Sequence, residues 1–250
     1  MLSEEPVVLI TGGGSGIGKE TALYFAERGA KVIIAGRRQE VLEKTAAEIK
    51  TASKFSLSIP TDITDEESVQ RMVEVAISTF GRVDVLVNNA GIAGKAALLH
   101  EMTDDDWNSL LDTNLTGTFR VSRALLGYFI QREKGNIVNV SSIAATVGLR
   151  QMAAYSASKS GMHALTRSIA VEYAHLGIRC NCVCPGPVDT PMTQSFLSEA
   201  DNYRRTISGI PQNRVGRPEG IAAAIYYLGT EQSSFMTGSI MTIDGGYTAI

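Results

Sequence analysis

The sequence is poor in the features that mark membrane, secreted and nucleic-acid-binding proteins. It has only three cysteines in 250 residues, and its net charge is −3. No apolar run approaches the roughly 18 residues that a membrane-spanning helix needs. The longest basic runs are the pairs Arg37–Arg38 and Arg204–Arg205, whereas a nucleic-acid-binding face needs concentrated positive charge. We therefore expect neither a membrane nor a nucleic-acid partner.

The cysteines and the first residues predict a cytoplasmic protein. Cys180, Cys182 and Cys184 alternate along one strand-like segment, so their side chains share one face at intervals of about 6.6 Å. This spacing is at the limit for a disulfide and unsuited to gathering three zinc ligands. Residues 1–6 are polar and acidic, unlike a secretory signal. We expect the cysteines to act as small buried hydrophobic residues in a reducing compartment.

Short apolar runs alternate with amphipathic segments along the chain, of which 44% is apolar. The clearest helical pattern places Val69, Met72 and Ala76 on one face and stops at Gly81. Such alternation predicts an α/β fold of the Rossmann type, a doubly wound, seven-stranded parallel sheet with helices on both faces. We expect one domain over residues 1–250. The predicted strands are Val7–Thr11, Lys31–Ala35, Lys54–Ile59, Val83–Asn88, Asn136–Ser141, Ile178–Cys184 and Ser239–Asp244.

A glycine-rich loop follows the first predicted strand. Gly12, Gly16 and Gly18 are spaced four and two residues apart, so they do not form the G-x-G-x-x-G pattern of dinucleotide-binding proteins. A P-loop is also excluded, because Glu20 stands where Ser or Thr would bind magnesium. A strand, a glycine turn and a helix N-terminus in this order suit a pyrophosphate, which the helix N–H groups and dipole attract. The alternative is an ordinary glycine-rich turn.

The end of the second predicted strand bears on the choice between NAD and NADP. An acidic residue there would accept a hydrogen bond from the ribose 2′-hydroxyl, whereas an arginine would pair with a 2′-phosphate. The sequence has Gly36 at this position, followed by Arg37 and Arg38. This pattern favours NADP, although two arginines at a helix start can also be simply solvated.

Polar residues and turns follow several predicted strands at the edge where open α/β sheets bind ligands. Asp62 follows the third strand and is a candidate contact for the adenine. The other strand-end sequences are Asn88–Asn89–Ala90–Gly91, Ser141–Ser142 and Pro185–Gly186. Each alone is also compatible with a turn. Because they share one edge with the glycine loop, together they predict a site.

Tyr155 and Lys159 are candidate catalytic residues. They are four positions apart and therefore share one face of a helix. A free tyrosine has a pKa of about 10, and a neighbouring cation stabilises the phenolate and lowers that pKa. Ser142 precedes Tyr155 at a strand end, where its hydroxyl can bind a substrate oxygen. Asn114 falls on the apolar face of another helix, and a buried amide needs hydrogen-bond partners.

In combination, these residues resemble the short-chain dehydrogenase/reductase family in its compact form. The resemblance covers almost the whole chain and includes Thr11-Gly12-x-x-x-Gly16-Ile17-Gly18, Asp62, Asn88–Gly91, Asn114, Ser142, Tyr155-x-x-x-Lys159 and Pro185–Gly186. It implies a reaction that transfers a hydride between NADP(H), or NAD(H), and a ketone or secondary alcohol. A 3-oxoacyl thioester is one candidate substrate.

The resemblance also implies a role for each matching residue. Tyr155 would be the general acid/base, and Lys159 would lower its pKa and hold the nicotinamide ribose. Ser142 would orient the substrate oxygen, and Asn114 would hold a water that links Lys159 to solvent. The residues expected to bind the cofactor are Gly12, Ser15, Gly16, Ile17, Gly18, Arg37, Arg38, Asp62, Ile63, Asn89, Ala90, Gly91, Tyr155, Lys159, Pro185, Gly186, Val188 and Thr190.

Other features concern the substrate, the assembly and rival functions. The segment 189–212 carries apolar residues and is expected to form a substrate lid, where Arg204–Arg205 are candidates for contacting phosphates.

Small residues at Ala157, Gly161, Ala164 and Ser168 predict close helix packing in a homodimer or homotetramer, or against the chain's own sheet. The histidines lack ligand spacing, and no metal is expected. The rival function is a non-catalytic NADP-binding redox sensor or scaffold.

Overall fold

The computed structural model describes residues 5–52 and 55–249. In this part of the chain, seven parallel strands form one sheet with the order β3-β2-β1-β4-β5-β6-β7. The neighbours of β1 are β2 on one side and β4 on the other, so the strand order reverses next to β1. In such sheets the ligand site lies beyond the carboxyl ends of the strands at this reversal. The strands are β1 Val7–Thr11, β2 Lys31–Gly36, β3 Ser56–Pro60, β4 Val85–Asn88, β5 Gly135–Val140, β6 Ile178–Pro185 and β7 Ile240–Ile243.

Helices pack on both faces of the sheet, as the sequence predicts. One face carries a buried cluster that includes Val69, Leu125 and Ile169. The other face carries a second cluster that includes Phe25 and Ile225. The helices are α1 Gly16–Ala26, α2 Gln39–Ala52, α3 Glu66–Phe80, α4 Asp104–Leu111, α5 Gly117–Arg132, α6 Ala153–Tyr173, α7 Pro191–Leu197, α8 Ala200–Ser208 and α9 Pro218–Gly229.

Several predicted strand boundaries differ from the structure. The third strand runs over Ser56–Pro60, and the predicted start at Lys54 lies outside the described residues. The fourth begins at Val85, because the preceding Asp84 carboxylate bonds to the Val7 N–H and Arg132. The last strand ends at Ile243, because the side chain of Asp244 accepts hydrogen bonds from the turn that follows. The fifth and sixth strands differ from their predicted ends by one residue.

A π-helical turn, Asp112–Thr116, joins α4 to α5. A π turn inserts an extra residue into the helical ladder, and such turns occur frequently at functional sites. This turn brings Asn114 to a fully buried position. The sequence pattern predicts the buried face of Asn114 but not the change in helical geometry.

The three cysteines are buried and unpaired on β6. Burial raises the pKa of Cys182 to about 12 and that of Cys184 to about 11. The thiols therefore stay protonated at neutral pH, as expected for cysteines that pack as small hydrophobic residues. Among the described residues, no helix combines the length and the apolar character needed to cross a membrane.

Candidate active site

The glycine loop and the first turn of α1 are packed so tightly that Gly12, Gly13 and Gly18 have no room for side chains. Gly12 has a left-handed φ of 66°, and a Cβ there would lie 2.8 Å from Asn89 Nδ2. A Cβ on Gly18 would collide with the Gly12 carbonyl oxygen and with Asn89 Nδ2. Glycine is therefore required for the close packing of backbone at this turn. The turn leads directly into the N-terminus of α1, where unpaired N–H groups favour an anion.

Asn89 and Thr11 fix the glycine loop to the end of β4. Asn89 Nδ2 donates to the carbonyl oxygens of Thr11 and Gly12, both at 3.1 Å. The Thr11 hydroxyl oxygen accepts from the backbone N–H groups of Asn89 and Ala90, also both at 3.1 Å. These bonds hold two strand ends in one geometry, so the Asn89–Gly91 segment forms one wall of the cleft beside the glycine loop.

Arg37, Arg38 and Asp62 lie together at one end of this cleft. Both arginines are exposed at the end of β2. Asp62 accepts hydrogen bonds from the Thr64 N–H at 2.9 Å and from its hydroxyl at 2.8 Å. Burial raises the pKa of Asp62, but these bonds and the charge of Arg37 outweigh it and hold the pKa below 3.8. This end of the cleft thus presents two guanidinium groups and one ionised carboxylate.

Tyr155 and Ser142 meet at the start of α6. Ser142 follows β5 and accepts a hydrogen bond from the Ala144 N–H at 3.2 Å. Burial raises the pKa of Tyr155 above 10, and the hydrogen bond from Ser142 offsets part of this rise. The phenol is therefore protonated at neutral pH, the form that can donate a proton to a substrate oxygen.

Lys159 is buried one turn after Tyr155. Its Nζ lies 5.8 Å from the centre of the Tyr155 ring, and it donates to the Val140 carbonyl oxygen at 2.9 Å. Burial lowers the pKa of Lys159 from 10.5 to about 8. The sequence predicts that this cation lowers the pKa of Tyr155, yet in this structure the net shift of the tyrosine is upward. The physical reason is that burial of the phenol dominates.

Asn114 connects the wall of the cleft to α6. Its Oδ1 accepts from the Ile92 N–H at 2.9 Å, and its Nδ2 donates to the Ile92 carbonyl oxygen at 3.0 Å. The same Nδ2 donates to the Ser158 hydroxyl at 3.1 Å. The side chain thus holds the segment after Gly91 against the residue next to Lys159, which supplies the partners that a buried amide requires.

The segment after β6 passes beside the glycine loop. A Cβ on Gly16 would lie 3.3 Å from the Thr190 Cβ, so these two residues are neighbours. Thr190 precedes α7 and lines the cleft. Gly186 packs against Asp244, and Val188 pairs with Gly216. The predicted cofactor residues Pro185, Gly186 and Val188 are not among the residues that line the cleft. Pro185 is the last residue of β6.

The cleft brings most of the predicted cofactor residues to one surface. Gly91 links this surface to the candidate catalytic residues, because a Cβ there would lie 3.5 Å from Lys159 Nζ and 3.0 Å from Asn114 Oδ1. The lining includes the predicted residues Gly12, Ser15, Gly16, Ile17, Arg37, Arg38, Asp62, Ile63, Asn89, Ala90, Gly91 and Thr190. The sequence did not predict further lining residues, among them Val41, Leu42, Thr64, Ile92 and Thr113, whereas Met192 belongs to the predicted lid. Thr64, Ile92 and Thr113 each adjoin a predicted site residue in the sequence, whereas Val41 and Leu42 have no such neighbour.

Two surface predictions change in the structure. Gly161 faces the chain's own π turn, since a Cβ there would lie 2.6 Å from Leu115 Cδ2. It is therefore not free to pack against a partner, whereas Ala164 and Ser168 are exposed. Arg204 forms an ion pair with Asp201 at 2.7 Å, which leaves the guanidinium less available for phosphates than the sequence suggests.

The residues present fit a dinucleotide. The glycine loop brings bare backbone to the N-terminus of α1, where a pyrophosphate would bind. Arg37 and Arg38 lie at the far end of the same cleft. Among residues 5–52 and 55–249, no group of three or more His, Cys, Asp or Glu side chains is placed to hold a metal ion.

Comparison with known proteins agrees with this geometry. Residues 12–248 match the family model described as enoyl-(acyl carrier protein) reductase. The chain is 42% identical to a cis-4-hydroxycyclohexanecarboxylate dehydrogenase from Sinomonas cyclohexanicum over 246 residues, which cover 98% of each chain. The chain belongs to the short-chain dehydrogenase/reductase family.

Other members of the short-chain dehydrogenase/reductase family show the same likeness. A 3-oxoacyl-(acyl-carrier-protein) reductase from Thermotoga maritima is 40% identical over 98% of this chain and 99% of its own. A levodione reductase structure superposes with a TM-score of 0.95 at 33% identity and covers 98% of both chains. An actinorhodin polyketide ketoreductase structure with NADPH has a TM-score of 0.94 at 32% identity over the full length of both chains. The chain is thus an oxidoreductase of this family.

Proposed function

We propose that this protein is an NADP(H)-dependent carbonyl reductase that uses Tyr155 as its proton donor. The observation that carries the proposal is the meeting of Ser142, Tyr155 and Lys159 beside Gly91, at the wall of a glycine-lined cleft. A sensor or scaffold would need only the cofactor half of this site, so the complete set counts against the non-catalytic alternative.

Each catalytic side chain has a distinct task in this proposal. The cofactor supplies a hydride to the carbonyl carbon. The Tyr155 hydroxyl donates its proton to the carbonyl oxygen, and the Ser142 hydroxyl donates a hydrogen bond that orients this oxygen and stabilises its developing negative charge. Lys159 holds the nicotinamide ribose and supplies positive charge near the phenolate that remains. Asn114 positions Lys159 and Tyr155 by tying Ile92 to Ser158.

The cofactor would lie along the cleft from α1 to Tyr155. Gly12, Ser15, Gly16, Ile17 and Gly18 would surround the pyrophosphate. Asp62 and Ile63 would contact the adenine, Asn89, Ala90 and Gly91 the nicotinamide riboside, and Pro185, Gly186, Val188 and Thr190 the nicotinamide ring. This assignment follows the order of the strands whose carboxyl ends carry these residues. All of them except Gly18, Pro185, Gly186 and Val188 also line the cleft.

We predict a preference for NADP(H) over NAD(H), because Arg37 and Arg38 stand where the 2′-phosphate would lie. The double variant Gly36→Asp/Arg37→Ala should lose about ten- to a hundredfold in kcat/KM with NADPH, as expected for one arginine–phosphate pair. The measurement is kcat/KM with each cofactor. A wild-type enzyme that prefers NADH would contradict the assignment of these arginines.

The substrate would be a ketone or secondary alcohol of modest size. The named relatives are a cis-4-hydroxycyclohexanecarboxylate dehydrogenase and a 3-oxoacyl-(acyl-carrier-protein) reductase, so a cyclic hydroxy or keto acid and a 3-oxoacyl thioester are both candidates. We propose that residues 189–212, which include α7 and α8, form a lid over this substrate. Met192 and Phe196 are 50% and 52% exposed and would cover its apolar part. Oxidation of NADPH in the presence of a ketone panel tests this function.

We propose that the protein is a homodimer or homotetramer in the cytoplasm. The support is that α5 exposes Phe119 and that α6 exposes Val171, the latter at 82%, on the same helix as the exposed small residues Ala164 and Ser168. Burial of such side chains favours association. The variant Ala164→Arg is expected to shift the protein to a smaller species in light scattering, whereas Lys50→Arg, on α2, should leave the size unchanged. A wild-type protein that is monomeric at all micromolar concentrations would disprove the assembly.

A further inference from the structure

Two loops beside the catalytic residues form a defined rim, which we call the rim loops. The first covers residues 92–98 and follows Gly91, and the second covers residues 143–152 and leads from Ser142 to α6. They are joined by a hydrogen bond from the Ala97 N–H to the Gln151 carbonyl oxygen at 3.2 Å. The rim loops therefore occupy one edge of the site together, next to the position that a substrate carbonyl would take.

Both rim loops are held in place by side-chain hydrogen bonds, the first by those of the buried Asn114 and the second by that of Ser160 of α6. The first is fixed at Ile92 by the two hydrogen bonds of the Asn114 amide. The second is fixed to α6 by the Ser160 hydroxyl, which donates to the Ala145 carbonyl oxygen at 3.1 Å. The backbone of these loops is thus fixed relative to Ser142 and Tyr155. A substrate can be selected only by side chains whose position is held in this way.

Gln151 has a strained backbone four residues before Tyr155. Its φ of 64° is in the left-handed region, which costs a non-glycine residue energy and is retained most often at functional sites. The hydrogen bond from the Ala97 N–H is compatible with this conformation, because its acceptor is the Gln151 carbonyl oxygen. The conformation places Arg150 and Met152 on either side of a sharp change in chain direction.

The charge on the rim loops is entirely positive. Lys95 is the one charged residue in 92–98 and Arg150 the one in 143–152. Both are exposed, and the described part of the chain offers neither of them an ion-pair or hydrogen-bond partner. The remaining rim residues are apolar or uncharged, and the lid residues Met192 and Phe196 add apolar surface.

We propose that Lys95 and Arg150 bind an anionic group of the substrate, so that the preferred substrates are ketones that carry a carboxylate or a phosphate apart from the carbonyl. The inference rests on the proposed function and specifies its substrate class. Guanidinium and ammonium groups bind both anions through charge-assisted hydrogen bonds. The apolar residues of the rim and lid accommodate the carbon skeleton between the anion and the ketone.

Matched substrate pairs test this inference. The first pair is 4-oxocyclohexanecarboxylate and its neutral methyl ester. The second is 3-oxobutanoyl-CoA and the neutral N-acetylcysteamine thioester of the same acid, which separates phosphate from carboxylate recognition. We expect kcat/KM to be about ten- to a hundredfold higher for the charged member of at least one pair. Arg150→Gln and Lys95→Gln should reduce this ratio toward one, mainly through KM.

The matched control is Lys50→Gln, which removes one positive charge from the last turn of α2 and should leave the ratio unchanged. Added salt should raise KM for the charged substrate only. Equal kcat/KM within both pairs, or a ratio that both rim variants leave intact, would overturn the inference while leaving carbonyl reduction standing. If no ketone is reduced, the proposed function fails. Calorimetric titration with the acid and its ester then tests the rim alone, and equal Kd values would overturn it.

Discussion

Replacing Tyr155 by phenylalanine is expected to lower kcat by about 10²- to 10⁴-fold, the contribution of a positioned general acid. The substitution removes one hydroxyl and keeps the ring that packs at the start of α6. The Kd for NADPH, measured by fluorescence titration, should remain within a few-fold of the wild-type value, because the substitution leaves the glycine loop, Arg37 and Arg38 unchanged. Tyr173→Phe, at the other end of the same helix, removes the same hydroxyl group and is the matched control, which should keep most of the activity. Normal turnover of Tyr155→Phe would remove this residue from the mechanism.

Replacing Lys159 by methionine is expected to lower the activity while raising the free energy of unfolding. Activity should fall by roughly 10²-fold or more, because the positive charge beside the phenolate is lost. The free energy of unfolding at pH 7 should nevertheless rise, by up to about 3 kcal/mol, because burial lowers the pKa of Lys159 from 10.5 to about 8. An ionised amine in this position therefore lowers the free energy of unfolding, whereas an apolar side chain of similar length does not.

The pH dependence of this gain provides its check. Because the pKa of Lys159 is lower in the folded than in the unfolded chain, the folded chain binds fewer protons between about pH 8 and 10.5. The stability of the wild type therefore rises with pH across this window relative to the variant, and below it the cost of the buried cation is constant. Denaturant titrations at pH 7 and pH 10 measure the difference. A Lys159→Met protein that is less stable than wild type at pH 7 would contradict this account.

The parts of the fold that the sequence predicts well are those set by local pattern. The apolar runs of β1 and β2 and the face of α3 with Val69 and Met72 are repetitive. The structure gives β1 its predicted bounds, ends β2 one residue later at Gly36, and buries the predicted face of α3. The sheet and its flanking helices follow from the alternation of such runs. Strand ends are predicted less well, because side chains such as those of Asp84 and Asp244 decide them by bonding to distant or following backbone.

The residues of the site differ in how far sequence can identify them. Gly12 and Asn89 lie 77 residues apart in the sequence. Only the folded sheet shows that Asn89 leaves no room for a Cβ on Gly12. Gly161 looks available for a partner until Leu115 is seen to fill the space above it. The joining of the rim loops through Ala97 and Gln151 has no sequence signal at all, since it depends on one backbone bond between separate segments.

The most direct test of the central claim is to follow a labelled hydride. The enzyme is incubated with NADPH that carries deuterium on the transferable position of the nicotinamide ring, and with 4-oxocyclohexanecarboxylate as the ketone. Hydride transfer with Tyr155 as the proton donor predicts an alcohol that carries the deuterium on its carbinol carbon. The wild type should form this alcohol at least about a hundredfold faster than Tyr155→Phe. An alcohol without deuterium, or equal rates for the two proteins, would contradict hydride transfer with Tyr155 as the proton donor.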